Sequence, residues 1–269
     1  MRIVRFLDEQ GQEHLGIDQT DGSAELLEGA LFDELRPTGQ SARIATRLTP
    51  LTPCNIFCIG KNYGEHAREM GSDAPELPIV FMKPTSALNH PDAPVPLPRA
   101  CTHGPEVDYE AELVAVIGRA ARNVSREEAL SYVYGYTCAN DISARWWQMN
   151  GSGGQWIRGK SFDGFCPLGP VLVTADEIPD PQNLDVRCRL NGEVMQDGNT
   201  RSMMFPVDYL VSELSRDLTL LPGTIILTGT PPGVGFARDP QVFLKAGDTL
   251  ETEVEGIGTL RNSITDAAD

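Results

Sequence analysis

Long apolar runs are missing from this chain of 269 residues: no stretch approaches the roughly 18 consecutive apolar residues that span a bilayer. The opening Met1-Arg2-Ile3-Val4-Arg5-Phe6 lacks the apolar core of a signal peptide. Positive charge is scarce. Lys and Arg number 22 against 38 Asp and Glu, a formal net charge of -16, which argues against nucleic acid and against an anionic membrane surface as partners. Histidine is scarce too, four in all, with no His-rich ligand set, so zinc is the poorer expectation. The six cysteines, at 54, 58, 101, 138, 166 and 188, form no Cys-x-x-Cys pair, and several sit in apolar strand-like runs. They read as buried free thiols in a reducing cytoplasm. There is no internal repeat, no low-complexity segment, no P-loop and no Rossmann glycine fingerprint.

What is present points to a β-rich α+β fold. The chain is 41% hydrophobic, enough to bury a sizeable core, and its 26 Gly and 20 Pro imply many turns. Residues 1–50 read as a small N-terminal α/β unit: strands at Arg2–Leu7 and Glu13–Ile17, then apolar spacing over Leu26–Leu35 compatible with a short helix. Residues 51–269 form the larger, catalytic domain. It holds many short strands: Asn55–Gly60, Ile79–Lys83, Val133–Ala139, Leu168–Thr174, Thr224–Leu227 and Thr249–Val254. A hairpin turns at Asn191-Gly192. Ser125-Arg126-Glu127-Glu128 is a capping-box pattern that starts a short helix, and Val207–Arg216 is helix-like. Residues 84–105 carry six prolines and read as loop, and 142–160 read as irregular around Gly151, Gly153 and Gly154.

The stretch Val107–Gly118 organises the rest. It starts acidic and ends as a Val- and Ile-rich run, a buried strand. Strand alternation points Asp108, Glu110 and Glu112 the same way. Carboxylates crowded on one face beside a buried run call for a hard divalent cation with oxygen ligands; the alternative is an acidic edge strand facing water. Asp141 ends another apolar strand, where it is either a third ligand or a turn residue. Three carboxylates suit Mg²⁺ or Mn²⁺, and Ca²⁺ is an acceptable occupant in crystals. Lys160, in Gly159-Lys160-Ser161, can balance negative charge there or be a surface lysine. His66 and Glu69 lie three apart on one helical face and can form a base dyad or a solvated face. The Thr228-Gly229-Thr230-Pro231-Pro232-Gly233 loop can hold a carboxylate on its backbone N–H groups and the Thr230 hydroxyl, or be a structural turn.

Taken in order, these segments resemble the fumarylacetoacetate hydrolase family. The resemblance rests on Gly60-Lys61-Asn62-Tyr63 with His66 and Glu69; on Asp108-Tyr109-Glu110-Ala111-Glu112-Leu113; on Asn140-Asp141-Ile142-Ser143-Ala144-Arg145 with Gln148; on Gly159-Lys160-Ser161-Phe162-Asp163; on Pro167-Leu168-Gly169-Pro170; on Asn191-Gly192-Glu193; and on Leu227-Thr228-Gly229-Thr230-Pro231. It covers roughly residues 54–264 and little of residues 1–50. It implies a mixed β-sandwich roll of that family's C-terminal type, with a central metal site and usually a homodimer. By position, Glu110, Glu112 and Asp141 would ligate Mg²⁺ or Mn²⁺, and Lys160 would help neutralise enolate charge. Arg145, Gln148, Gly229 and Thr230 would contact substrate, and His66 with Glu69 would sit on a lid helix and position a water. Trp146 and Trp147 depart from the family pattern, and two indoles there could reshape the pocket or a dimer contact.

The implied reaction is carbon–carbon bond hydrolysis of a 2,4-dioxo acid of acylpyruvate type, through a pyruvate enolate held by the metal. The same enolate serves decarboxylation of oxaloacetate and a proton shift in 2-hydroxyhepta-2,4-diene-1,7-dioate, so decarboxylase and isomerase are the adjacent readings. A non-catalytic carboxylate binder would need the three acids but not His66 or Glu69. The expected partner is a small 2-oxo or 2,4-dioxo acid, and the expected location is cytoplasmic.

Overall fold

The computed structural model describes residues 1–71 and 73–267. Its centre is the strand Ala111–Ile117, buried along its whole length. It pairs antiparallel with Val133–Asn140 on one edge and with Ile225–Leu227 on the other. Both edges are therefore satisfied and both faces are covered, which is why the sequence there is almost continuously apolar. Leu113, Ala115 and Ile117 face one core with Val186, Cys188, Leu250, Val254 and Leu260. Val114 and Val116 face the other, with Ile56, Cys58, Phe81, Leu168 and Leu227. Burying each Val, Leu, Ile or Phe side chain among these stabilises the fold by about 1.5–3 kcal/mol relative to exposure.

The strand lies inside a 12-stranded sheet. A second sheet of five strands (Glu193–Asn199, Asp185–Leu190, Thr249–Val254, Gly258–Asp266 and Val95–Leu97) packs across Ala111–Ile117 and Val133–Asn140. The Asn191-Gly192 hairpin forms as expected, with φ of 54° and 82° at its two turn residues. Helix Val207–Leu214 buries Val207, Leu210, Val211 and Leu214 on one stripe. Ser125 and Glu128 do contact each other in the capping-box manner, but the turn they open is 3-10, at Ala129–Tyr132.

Two expectations are corrected. Leu26–Leu35 is not helical. The strand Ser23–Glu28 pairs with Glu13–Asp18, Gly16 opposite Leu26, and a further strand follows at Arg36–Arg43. Leu26 and Leu27 pack on opposite cores, so their apolar character serves two sheet faces rather than one helical stripe. The N-terminal unit is thus all strand. Its first strand, Arg2–Leu7, pairs with Cys166–Thr174, Arg2 opposite Val173, so the unit extends the large sheet. The second correction concerns 142–160, which holds two short helices, Arg145–Met149 and Ile157–Lys160. They meet at Gly159, where any Cβ would lie 2.4 Å from the Gln148 amide nitrogen. That close approach is what brings Lys160 alongside Arg145 and Gln148.

Candidate active site

The acidic stretch is not one strand. Val107–Asp108 pairs with Ser143–Ala144, the chain breaks at Tyr109-Glu110, and the long strand begins at Ala111. Asp108 consequently leaves the face it was expected to share. Its carboxylate accepts from the amides of Tyr109, Gly235 and Phe236 at 2.9, 2.8 and 3.0 Å and from Arg145 Nε at 2.8 Å. Glu110 and Glu112 do share a face, the one that also carries Val114 and Val116. The pairing of Ala111 with Asn140 sets Asp141 beside them, its amide donating to the Glu110 carbonyl at 2.8 Å. Glu110, Glu112 and Asp141 each offer an oxygen within 4.8 Å of the others, and all three are buried.

Three buried cations answer them. Arg145 Nη1 donates to Glu110 Oε1 at 2.7 Å and to Gln148 Oε1 at 2.9 Å, while its Nη2 lies 2.7 Å from Asp108 Oδ2. Lys160 Nζ bridges Glu110 Oε2 and Asp141 Oδ2, both at 2.8 Å, with the Phe81 ring 5.2 Å away. Lys83 Nζ lies 2.6 Å from Asp141 Oδ1 and donates to the carbonyls of Ile142, Lys160 and Phe165 at 3.2, 2.5 and 2.9 Å. Four acids (Asp108, Glu110, Glu112, Asp141) against three cations (Lys83, Arg145, Lys160) leave one negative charge unmatched, 4 − 3 = 1.

That charge falls at Glu112, whose hydrogen bond is from the Gly229 amide at 2.7 Å. Burial, then Asp141, then Glu110 push the Glu112 carboxyl well above the usual carboxylate range. For Glu110, burial works the same way but Lys160, Arg145 and His66 outweigh it and hold the carboxyl far below that range. Burial works against the Lys160 ammonium, and Asp141 and Glu110 more than offset it, so Lys160 stays charged. A surplus negative charge among oxygen-only donors fits a hard divalent cation, and Glu110, Glu112 and Asp141 are the residues that would hold it.

Opposite this floor stands the short helix Gly64–Glu69. His66 Nδ1 and Glu69 Oε1 are 2.7 Å apart, and the Gly233 amide donates to Glu69 Oε2 at 2.9 Å. Glu69 as a carboxylate can only accept, so the hydrogen of this contact sits on Nδ1, and in the neutral imidazole Nε2 is then the acceptor. His66 lines a cavity of about 260 Å³ with Glu110, Glu112, Arg145, Lys160 and Thr230, near the small end of small-molecule sites. The spacing argument for the dyad and the alternation argument for the acids thus converge on one cavity.

The remaining expected residues are there, some otherwise engaged. Gln148 lines the cavity and braces Arg145. The Gly229 amide is spent on Glu112 rather than left for an external carboxylate; φ there is 96°, and a Cβ would lie 2.7 Å from Asn62 Cβ. The Thr230 hydroxyl donates to the Ala111 carbonyl at 2.9 Å and accepts from Gln196 at 2.8 Å, so it faces the cavity with its proton committed. Trp146 stacks on His103 and Trp147 donates to the Ala100 carbonyl, outside the cavity wall. The indole in the wall is Trp156, packed so tightly on Gly60 that a Cβ there would lie 2.3 Å from the ring. Sequence reasoning missed Lys83, Trp156 and Gln196. The one available signal was Lys83, a lysine closing an apolar strand before a proline.

The model for the C-terminal domain of fumarylacetoacetate (FAA) hydrolase matches residues 55–265, and one described as Rv2993c-like, N-terminal, matches residues 1–46. The chain is 48% identical over 218 residues to a Xenopus laevis protein named oxaloacetate tautomerase fahd2, mitochondrial, covering 81% of this chain and 67% of that protein. A solved fumarylacetoacetate hydrolase from psychrophilic Exiguobacterium antarcticum superposes with a TM-score of 0.87 at 35% identity, over 99% of this chain and 100% of that one. A 2-hydroxyhepta-2,4-diene-1,7-dioate isomerase from Mycobacterium marinum superposes with a TM-score of 0.83 at 36% identity, over the whole of both chains.

Proposed function

The chain belongs to the fumarylacetoacetate hydrolase family of enzymes, and from that premise we propose that it catalyses keto–enol proton transfer on a small 2-oxo acid. The observation that carries this reading is that His66, held by Glu69, lines the same cavity as Glu110 and Glu112, which Asp141 joins to complete the acid cluster. A bound Mg²⁺ or Mn²⁺ would supply Lewis-acid stabilisation of negative charge developing on the 2-oxo oxygen. The chain's own residues supply the rest. His66 Nε2, with its lone pair free, receives a proton at one position of the substrate, the enol oxygen or carbon 3, and returns it to the other. Nothing else is gained or lost, so the balance is that of an isomerisation. Glu69 holds the imidazole in the needed tautomer and stabilises the transient imidazolium. Arg145, fixed by Asp108 and Gln148, and Lys160 present fixed positive charge to the anionic substrate. Met149, Phe81 and Trp156 add apolar surface to the cavity wall.

The oxaloacetate and dienedioate named for the relatives are substrates that this chemistry would turn over. Hydrolysis of an acylpyruvate remains the second reading, because the same dyad can deprotonate a water. A homodimer is proposed on family grounds, and sedimentation velocity tests it. The deciding experiment follows enol absorbance of oxaloacetate, and pyruvate release from acetylpyruvate, with Mn²⁺ and with EDTA. Enol–keto conversion lost in EDTA and in Glu110→Ala supports the proposal. Pyruvate release faster than enol conversion moves the assignment to hydrolase, and no turnover of either substrate overturns both.

A further inference from the structure

Lys61 lies in the cavity wall, and the mechanism above makes no use of it. Its backbone is left-handed, with φ 55°, a conformation that lysine seldom adopts. Both neighbours hold it there. Gly60 is pinned beneath the Trp156 ring. Asn62 is fully buried: its amide donates to the carbonyls of Phe205 and Thr228 at 2.9 and 2.7 Å, and its side-chain oxygen accepts from the Phe205 amide at 2.8 Å. The chain therefore spends a clamp and an unfavourable φ on presenting this one side chain. The other two cations of the wall are committed: Arg145 to Asp108 and Glu110, Lys160 to Glu110 and Asp141. Among the described residues the Lys61 ammonium has no carboxylate partner. It stands 5.9 Å from the centroid of the Trp156 ring.

We propose that Lys61 is the specificity-determining residue of this cavity, pairing with the second carboxylate of a 2-oxo dicarboxylic acid whose 2-oxo acid end lies over the acidic floor. The inference rests on the 2-oxo acid reading above and names the substrate class within it. A lysine suits this role because its ammonium is a single charge on a flexible stem, which reaches distal carboxylates at slightly different distances. Trp156 gives the stem an apolar platform, and the charge is left for the ligand.

The test compares wild type, K61Q and K61R, each loaded with Mg²⁺. Two readouts are taken: kcat/KM on oxaloacetate and on the monocarboxylic acetylpyruvate, and calorimetric binding of 2-oxoglutarate and 2-oxopentanoate, a pair differing in the terminal carboxylate. K61Q keeps length and polarity but removes the charge. It is expected to lower kcat/KM for oxaloacetate and affinity for 2-oxoglutarate by about 10- to 100-fold. Acetylpyruvate and 2-oxopentanoate should change less than about 3-fold, and K61R should recover most of the loss. Equal loss on both members of each pair, or no loss on either, overturns the proposal. If wild type turns over neither substrate, the tautomerase reading falls, while the binding pair still decides the role of Lys61.

Discussion

The floor and the roof of the cavity are built on opposite plans. The floor is the meeting point of strand ends in the middle of the large sheet, and its acids and cations are buried, with Asp108, Glu110 and Asp141 paired to Arg145, Lys160 and Lys83. The roof is a six-residue helix. Beyond it Gly71, Asp73, Ala74, Glu76 and Leu77 are exposed. Glu69 tethers the helix to the Gly233 amide, and Asn62 anchors the chain that leads into it. The difference separates two kinds of work. Charges that must not reorganise during the reaction belong in a rigid, desolvated floor. The group proposed to move a proton sits on the element with fewer ties.

If that division holds, His66→Ala should be severe in activity and mild in stability. Turnover should fall about 100- to 10,000-fold while Mn²⁺ affinity and the urea midpoint stay near wild type; a parallel fall in metal affinity would break the comparison. Lys83→Met should invert the pattern. It leaves Asp141 short of its fixed cation, and equilibrium unfolding should show about 3–5 kcal/mol lost, with Mn²⁺ binding about 10- to 100-fold weaker. Binding of the ion itself should stabilise the floor, by about 2.7 kcal/mol at a free concentration about 100 times the dissociation constant; calorimetric scans with Mn²⁺ and with EDTA measure it, and Glu112→Gln should abolish the gain. The smallest effect is expected at Trp147→Phe, which removes the bond to the Ala100 carbonyl outside the cavity. It should cost about 1 kcal/mol in stability and leave kcat/KM unchanged.

The same contrast explains what could be read from the sequence. Glu110 and Glu112 were legible because a period of two is a property of the strand alone, and His66 with Glu69 because a spacing of three is a property of the helix alone. Asp141 was legible as the residue that ends an apolar run. Asp108 was misplaced because the break at Tyr109-Glu110 leaves no composition signal; it comes from pairing with Ser143–Ala144. Lys83 and Trp156 matter through partners 58 and 96 positions away, Asp141 and Gly60, and no local pattern announces such contacts. The Leu26–Leu35 segment was misread because a few leucines satisfy a helical stripe and a two-faced strand equally well.

The pairing of Arg2–Leu7 with Cys166–Thr174 bears on which strand edge of the large sheet is left open. Without the N-terminal meander, Val171–Thr174 would present a row of unsatisfied N–H and C=O groups on a flat apolar edge, a template on which a stray strand can dock. The first fifty residues thus act as a guard rail, and a shortened chain is expected to keep its chemistry in dilute solution and lose it to self-association as concentration rises.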